Sequence, residues 1–196
     1  MKPIFKKFAL AALSAAALCA SARAETVLRV GHFPNISHAQ ALVAHRLSML
    51  GKGWFEERLG KGVKIQWMLF NAGPSAMESV FAGAVDITYV GPNPAINAYA
   101  KTRGRDIRIL AGSADGGASL VVNPKLGIKS PQDFKGKSIG TPQLGNTQDV
   151  ACRAWLIDNG VKVALTSGEA RVIPTPNPEQ LMLFKRGDLD AVWTVE

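Results

Sequence analysis

Two stretches of the chain share one order of apolar and polar positions. Residues 78–91 (ESVFAGAVDITYVG) and 180–196 (QLMLFKRGDLDAVWTVE) each pass from an apolar helical run through a Gly and two further residues to an Asp and a β-rich run. The Gly can close a helix in the left-handed conformation, and the Asp then opens a strand; these pairs are Gly83 with Asp86 and Gly187 with Asp190. A helix-to-strand unit used twice predicts two similar α/β lobes with a small ligand held between them.

Apolar runs of strand length alternate with helical runs along the rest of the chain. The pattern predicts strands at 27–30, 63–70, 86–90, 107–111, 119–123, 137–140 and 171–173. It predicts helices from Ser37 to about 50, from 74 to 82, from about 94 to 101, from about 148 to 159 and from 177 onward, with a short one after Ser130. Because strands alternate with helices, we expect parallel strands joined by right-handed crossovers.

Polar residues and prolines mark where several helices begin. Ser37 and Gln40 have the spacing of a capping box, in which each side chain bonds the backbone of the other residue. Ser130 before Pro131 and Asn177 before Pro178 predict two more capped starts. Pro74 suits the first turn of a helix, where its missing N–H costs nothing.

The composition divides the chain into a leader and two lobes. It turns small and polar at 112–117, which indicates the passage from lobe one (25–112) to lobe two (113–196). The sequence stops inside a predicted strand, with no segment that returns to lobe one. We therefore expect a C-terminally truncated sequence, with the return segment of lobe one missing and lobe two incomplete.

Residues 1–24 have the form of a secretory signal peptide. A start with three lysines precedes the apolar run 8–20 and an A-R-A cleavage site, so the mature chain is expected to begin at Glu25 in the periplasm. The leader contains four basic residues and no acid, so the net charge of +8 falls to +4 for the mature chain. No basic cluster typical of nucleic-acid binding is present.

Three strand-to-helix turns, at 36–38, 72–75 and 144–147, suit an anion. A helix N-terminus offers unpaired N–H groups and about half a positive charge. Glycines would allow close backbone approach and short side chains would add donors; these are Gly73, Gly145, Ser37, Ser75, Asn146 and Thr147. Two turns belong to lobe one and one to lobe two, so an oxyanion among them would tie the lobes together.

The sequence offers little support for metal binding, cysteine chemistry or cofactor binding. The mature chain has three His and one Cys without metal-ligand spacing, so no metal is expected, and His32 and His38 are interpreted as pocket-rim or surface residues. Cys152 stands among apolar neighbours and is predicted to be a buried helix residue. There is no G-x-S-x-G nucleophile motif, Walker loop or G-x-G-x-x-G, so no cofactor is expected.

Four runs resemble one family. The runs LRVGHFPNISHAQALVA, NAGPSAMESVFAGAVDITYVGPNPAINAYA, IKSPQDFKGKSIGTPQLGNTQD and FKRGDLDAVWTVE are similar to the periplasmic solute-binding proteins of ABC transporters for nitrate, taurine and aliphatic sulfonates, and most similar to the sulfonate-binding branch. The resemblance implies a two-lobed periplasmic binding protein fold of type II and hinge closure on the ligand. It also implies an ABC permease and ATPase as partners and a monomeric receptor.

The resemblance implies a receptor rather than an enzyme, with an aliphatic sulfonate as the first choice of ligand and taurine or nitrate next. By position it implies ligand contacts from His32, Phe33, Pro34, Asn35, Ser37, Asn71, Gly73, Pro74, Ser75, Gly91, Pro92, Asn93, Thr141, Gly145, Asn146 and Thr147. The alternatives are an enzyme on the same fold, similar to the thiamine-pyrimidine synthases but without their cysteine-rich motif, or a ligand-sensing domain.

Overall fold

The computed structural model of the protein describes residues 25–164 and 168–195. The predicted signal peptide at 1–24 lies outside the described residues, as does Glu196. Within the described ranges, no helix combines the length and the apolar character needed to cross a bilayer.

The first sheet has three parallel strands. They are β1 (Thr26–His32), β2 (Val63–Leu69) and β3 (Ile87–Thr88), in the order β2-β1-β3. Val30 of β1 lies opposite Trp67 on one side and Ile87 on the other. The helices of this part of the chain are α1 (Ala39–Met49), α2 (Trp54–Leu59), α3 (Gly73–Phe81) and α4 (Pro92–Lys101), and a 3-10 turn (Ile36–His38) precedes α1.

The second sheet has five strands in the order β4-β8-β5-β7-β6. They are β4 (Ala118–Val122), β5 (Ser138–Thr141), β6 (Val163–Ala164), β7 (Ala170–Pro174) and β8 (Ala191–Val195), with helices α5 (Thr147–Asp158) and α6 (Asn177–Arg186) and short 3-10 turns at Pro124–Leu126 and Pro131–Phe134. The pairings are parallel apart from β4, which runs antiparallel to β8. The predicted α/β class with parallel pairing is confirmed, and β4 is the departure.

The main apolar core belongs to the second sheet. Its members are 1% exposed or less: Phe134, Ile139, Cys152, Leu156, Val161, Ala170, Val172 and Ala191. Trp155 and Trp193 pack against this core, with their ring centroids 5.8 Å apart. Helix α5 contributes two residues to this core, Leu156 and Cys152, and the predicted burial of Cys152 is confirmed.

The repeated helix-to-strand unit (78–91 and 180–196) folds into the same local structure twice. Gly83 and Gly187 have φ of +66° and +86° and end α3 and α6. The Asp that follows forms two hydrogen bonds to the backbone of the neighbouring strand. The Asp86 N–H donates to Arg29 O (3.0 Å), and the Asp86 carboxylate accepts from Arg29 N (2.8 Å). Asp190 does the same with Ser138, at 3.1 Å and 2.7 Å. The predicted helix-to-strand repeat is thus confirmed, and the structure adds that each Asp bonds the backbone of a neighbouring strand.

Several predicted boundaries are wrong. Residues 107–111 form no strand, and Ile109 and Leu110 are 81% and 74% exposed, because no strand in the described chain pairs with them. The predicted strand at 86–90 is reduced to β3, although the Tyr89 N–H still donates to Gly31 O (3.0 Å). Helix α4 begins at Pro92, two residues before the predicted start.

Two predicted helix caps are also wrong. No capping box forms at Ser37, because the chain first makes the 3-10 turn and the Gln40 amide donates instead to Ser113 O (2.5 Å). Asn177 does not cap α6, and its side-chain oxygen accepts from the Thr194 hydroxyl (3.2 Å). The predicted start at Ser130 is correct, since Ser130 and Asp133 form a capping box there.

Candidate ligand-binding site

A cavity of about 1010 Å³ lies between the two sheets. From the first sheet it is bordered by the 3-10 turn, the start of α3 and the start of α4. From the second sheet it is bordered by Pro142 and by Asn146, Thr147 and Gln148 at the start of α5. Both halves therefore present helix N-terminal ends to one space, and this space continues over apolar side chains of the first sheet such as Val30 and Trp67.

The start of α3 is packed tightly against α4. A Cβ on Gly73 would overlap the Pro94 ring, so only glycine fits there. Gly73 therefore allows α3 and α4 to pack closely, and the close approach of a ligand predicted for this residue stays a prediction. The Ser75 hydroxyl donates to Ala72 O (2.9 Å), and the first-turn N–H groups of Gly73 and Ser75 have no partner within the helix.

The start of α5 is organised by a buried carboxylate. Asp149, which is 1% exposed, accepts from the Thr141 hydroxyl (2.9 Å), from the Gly145 N–H (3.0 Å) and from Arg153 Nε (3.0 Å). Its own N–H is capped by Asn146 Oδ1 (2.8 Å). Since Arg153 offsets the charge of Asp149, the N–H groups of the first turn can still attract an anion.

Gly145 has a conformational role. Its φ is +76°, and an added Cβ would meet nothing within 4 Å. This glycine therefore permits a left-handed turn, which other residues adopt at a cost. The close approach of a ligand to Gly145 stays a prediction.

The two halves touch at the rim of the cavity. The Asn93 amide donates to Gly145 O (2.9 Å), and the Asn71 amide donates to Pro142 O (3.1 Å). Gly91 lies so close to the Thr147 hydroxyl that a Cβ would overlap it. These contacts bring the start of α4 and the start of α5 together.

Three histidines lie close together where β1 leads through the 3-10 turn into α1. His32 is 1% exposed, and its Nε2 lies 2.9 Å from His45 Nδ1, so it is a core residue rather than a surface one. His38 is 8% exposed and borders the cavity, and its Nδ1 accepts from the Phe33 N–H (3.1 Å). Burial, with a further contribution from His32, lowers the pKa of His38 to about 4.

Few charged side chains border the cavity. Among the described residues these are Asp86, Asp106 and Arg108, with no Lys. Asp86 is paired with Arg29, whose hydrogen bonds hold the pKa of Asp86 below its usual value. Arg108 donates to the carbonyls of Gly104 and Ile107. Apart from these three residues, the wall consists of neutral polar and apolar residues.

The predicted contact residues fall into two groups. Nine border the cavity: Phe33, Asn35, Ser37, Asn71, Gly73, Gly91, Pro92, Asn146 and Thr147. Seven lie outside its wall: His32, Pro34, Pro74, Ser75, Asn93, Thr141 and Gly145. Of this second group, Thr141, Gly145 and Asn93 hold the wall in place through the hydrogen bonds already described.

Sequence reasoning missed several residues of the cavity wall. Tyr89, Pro142 and Gln148 border the cavity but were not predicted to do so. His38, which was interpreted as a pocket-rim or surface residue, borders it too. The spacing of Asp149 and Arg153, four residues apart on one helix, is a signal that could have revealed the buried pair.

Two features bear on metal and thiol chemistry. In the part of the chain that the structure describes, no three His, Cys, Asp or Glu residues cluster as metal ligands. Cys152 is fully buried, and burial together with the nearby Asp149 raises its pKa to about 12, which keeps it a thiol.

A model of the NMT1-like family matches residues 21–196. The chain belongs to this family. The predicted resemblance to periplasmic binding proteins is confirmed, with a sulfonate-binding and a taurine-binding protein among the relatives of this chain.

Two curated proteins and one solved structure illustrate the likeness of this NMT1-like chain. A Bacillus subtilis (strain 168) protein, provisionally named as aliphatic sulfonates-binding, is 36% identical over 91 residues, which cover 45% of this chain and 27% of that protein. The taurine-binding periplasmic protein of Escherichia coli (strain K12) is 26% identical over 135 residues, which cover 67% of this chain and 39% of that protein. The alkanesulfonate-binding protein SsuA from Xanthomonas axonopodis pv. citri, bound to MOPS, superposes with a TM-score of 0.60 at 20% identity, covering 88% of this chain and 55% of that structure.

The structural likeness establishes the fold, which is that of periplasmic solute-binding proteins. The chain spans about half the length of that solved structure and less of the curated relatives that it matches. All three are named as binding proteins.

Proposed function

We propose that the protein is the extracytoplasmic solute-binding receptor of an ABC importer and binds a small oxyanion between its two halves. The observation that carries the proposal is the convergence of helix N-termini from both sheets on one cavity. Such ends attract anions through their free N–H groups and partial positive charge.

The lining favours an anion of fixed charge. Helix ends and neutral side chains such as Ser37 and Asn35 can hold a sulfonate without exchanging a proton with it. Apolar side chains deeper in the cavity suit a short carbon chain. An aliphatic sulfonate is therefore the preferred ligand, followed by taurine and nitrate. The first two are in keeping with the names of the relatives.

The remaining features of the proposal follow from the same role. A receptor exported by residues 1–24 would act in the periplasm as a monomer and pass its ligand to a permease driven by an ATPase. The rim contacts from Asn93 and Asn71 would form when the halves close on the ligand and break when they open.

A thermal-shift and calorimetry panel tests the proposal. The purified protein, in sulfate-free buffer of low ionic strength, is mixed with ethanesulfonate, taurine or nitrate, and with ethanol as the uncharged match for ethanesulfonate. A ligand at about one hundred times its Kd adds about 2.7 kcal/mol to the free energy of unfolding. Stabilisation by one of the anions and not by ethanol supports the proposal, while no response to any anion contradicts it.

A further inference from the structure

The orientation of His38 in the cavity wall is fixed by its neighbours. The Phe33 N–H donates to Nδ1 over 3.1 Å, and the His38 ring stacks on the Phe33 ring with centroids 4.4 Å apart. Tyr89 lies on another side, with its ring centroid 5.8 Å away. The ring therefore has little freedom to turn.

These contacts also fix the tautomer. Because Nδ1 accepts a hydrogen bond, the neutral ring must carry its proton on Nε2. With the pKa of His38 near 4, the ring is neutral at physiological pH. The titratable groups that face it are His32 and Tyr89, and within the described residues no carboxylate bonds to it.

The proton on Nε2 is available to a ligand. Nε2 has no hydrogen-bond partner among the described residues. The atom is also not fully enclosed by the protein. Because His38 borders the cavity and Nε2 is not fully enclosed, this N–H is a candidate donor to a ligand in the cavity.

We propose that His38 is a specificity-determining residue whose Nε2–H donates one hydrogen bond to an oxygen of the bound anion. The proposal rests on the proposed oxyanion function and extends it. An N–H of this kind can donate but cannot accept, so it favours anions without an O–H group, such as sulfonates. A phosphonate that keeps one proton at neutral pH would be disfavoured whenever its O–H faced His38.

Two substitutions separate this role from a structural one. In His38→Asn the amide oxygen can still accept from the Phe33 N–H, but the distal N–H is lost. In His38→Gln the longer side chain reaches the position of Nε2 with an amide that both donates and accepts. The binding of ethanesulfonate and ethylphosphonate to wild type and both variants is measured by calorimetry.

We expect His38→Asn to bind ethanesulfonate about tenfold more weakly, as for a lost hydrogen bond to a charged group, without a comparable loss of thermal stability. We expect His38→Gln to regain much of the affinity and to show a smaller preference for ethanesulfonate over ethylphosphonate. Unchanged affinity and preference in His38→Asn would overturn the role of His38 alone. Binding of neither anion by wild type would overturn this role and the proposed function together.

Discussion

Asn93 and Gly145 are joined across the cleft by a hydrogen bond of 2.9 Å from the side-chain amide of Asn93 to the carbonyl of Gly145. Asn93 lies in the first turn of α4, beside the first sheet, and Gly145 lies in the turn that leads into α5 of the second. This carbonyl belongs to the residue whose N–H is held by Asp149. The link therefore connects the buried network of one half to the helix end of the other.

Asn93→Ala is expected to weaken ligand binding by about fivefold, because one hydrogen bond that stabilises the closed arrangement is worth about 1 kcal/mol. Calorimetric titration with ethanesulfonate measures this change. Asn159→Ala is the matched control, since among the described residues the Asn159 side-chain amide donates to Trp155 O, a local contact far from the cleft. Equal affinities for wild type and Asn93→Ala would show that this link plays no part in closure.

Gly145→Val is expected to lower both stability and affinity, although a Cβ at this position meets no protein atom within 4 Å. The reason is the φ of +76°, which costs a residue with a Cβ about 1–2 kcal/mol and would shift the turn that carries the carbonyl for Asn93. Gly145→Asn is the matched variant, since Asn tolerates this conformation better. Urea unfolding and calorimetry should place Asn near wild type and Val well below it. Equal stability and affinity for Val and Asn would contradict the conformational explanation.

Local pattern was sufficient for much of the fold. The two helix-to-strand units could be predicted because the spacing from Gly to Asp is a local feature of the sequence. Gly83 and Gly187 do end helices as expected. The sequence could not show which strand each Asp would hydrogen-bond. The partners Arg29 and Ser138 are 57 and 52 residues away, so their pairing depends on the assembled sheet.

The failed predictions have the same origin. Residues 107–111 have the composition of a strand, yet a strand needs a neighbour, and the described chain supplies none. Ser37 has the spacing of a capping residue, but Gln40 is drawn to Ser113 O, 73 residues away. At the candidate site, the turns at the helix starts could be found from sequence. The roles of His38 and Asp149 depend on contacts that only the folded chain reveals.

Asp149→Asn is expected to destabilise the protein by about 3 kcal/mol, because it leaves Arg153 largely buried without its partner and weakens the bonds to Thr141 and Gly145. Urea unfolding of Asp149→Asn, Arg153→Gln and the double variant forms a double-mutant cycle. The double variant should lose less than the two single losses combined. Simple additivity would mean that the two side chains act independently.

Protonation of His38 should make stability depend on pH. Burial lowers the pKa of His38 to about 4 in the folded protein, below its ordinary value of about 6.5, so the unfolded chain binds more protons between these values. The contribution of His38 to the free energy of unfolding is therefore fully present above about pH 6.5. It is lost as the pH falls toward 4, by up to about 3 kcal/mol. His45, whose pKa burial also lowers, adds to the loss in the same direction.

His38→Asn isolates this contribution, because Asn can keep the bond to the Phe33 N–H and does not titrate. Urea unfolding at about pH 7, 5.5 and 4.5 should show a smaller loss of stability for the variant than for wild type. Carboxylates with lowered pKa, such as Asp86, lose their contribution at lower pH and do so equally in both proteins. Parallel curves for the two proteins would mean that His38 takes up its proton in the folded state as readily as in the unfolded chain.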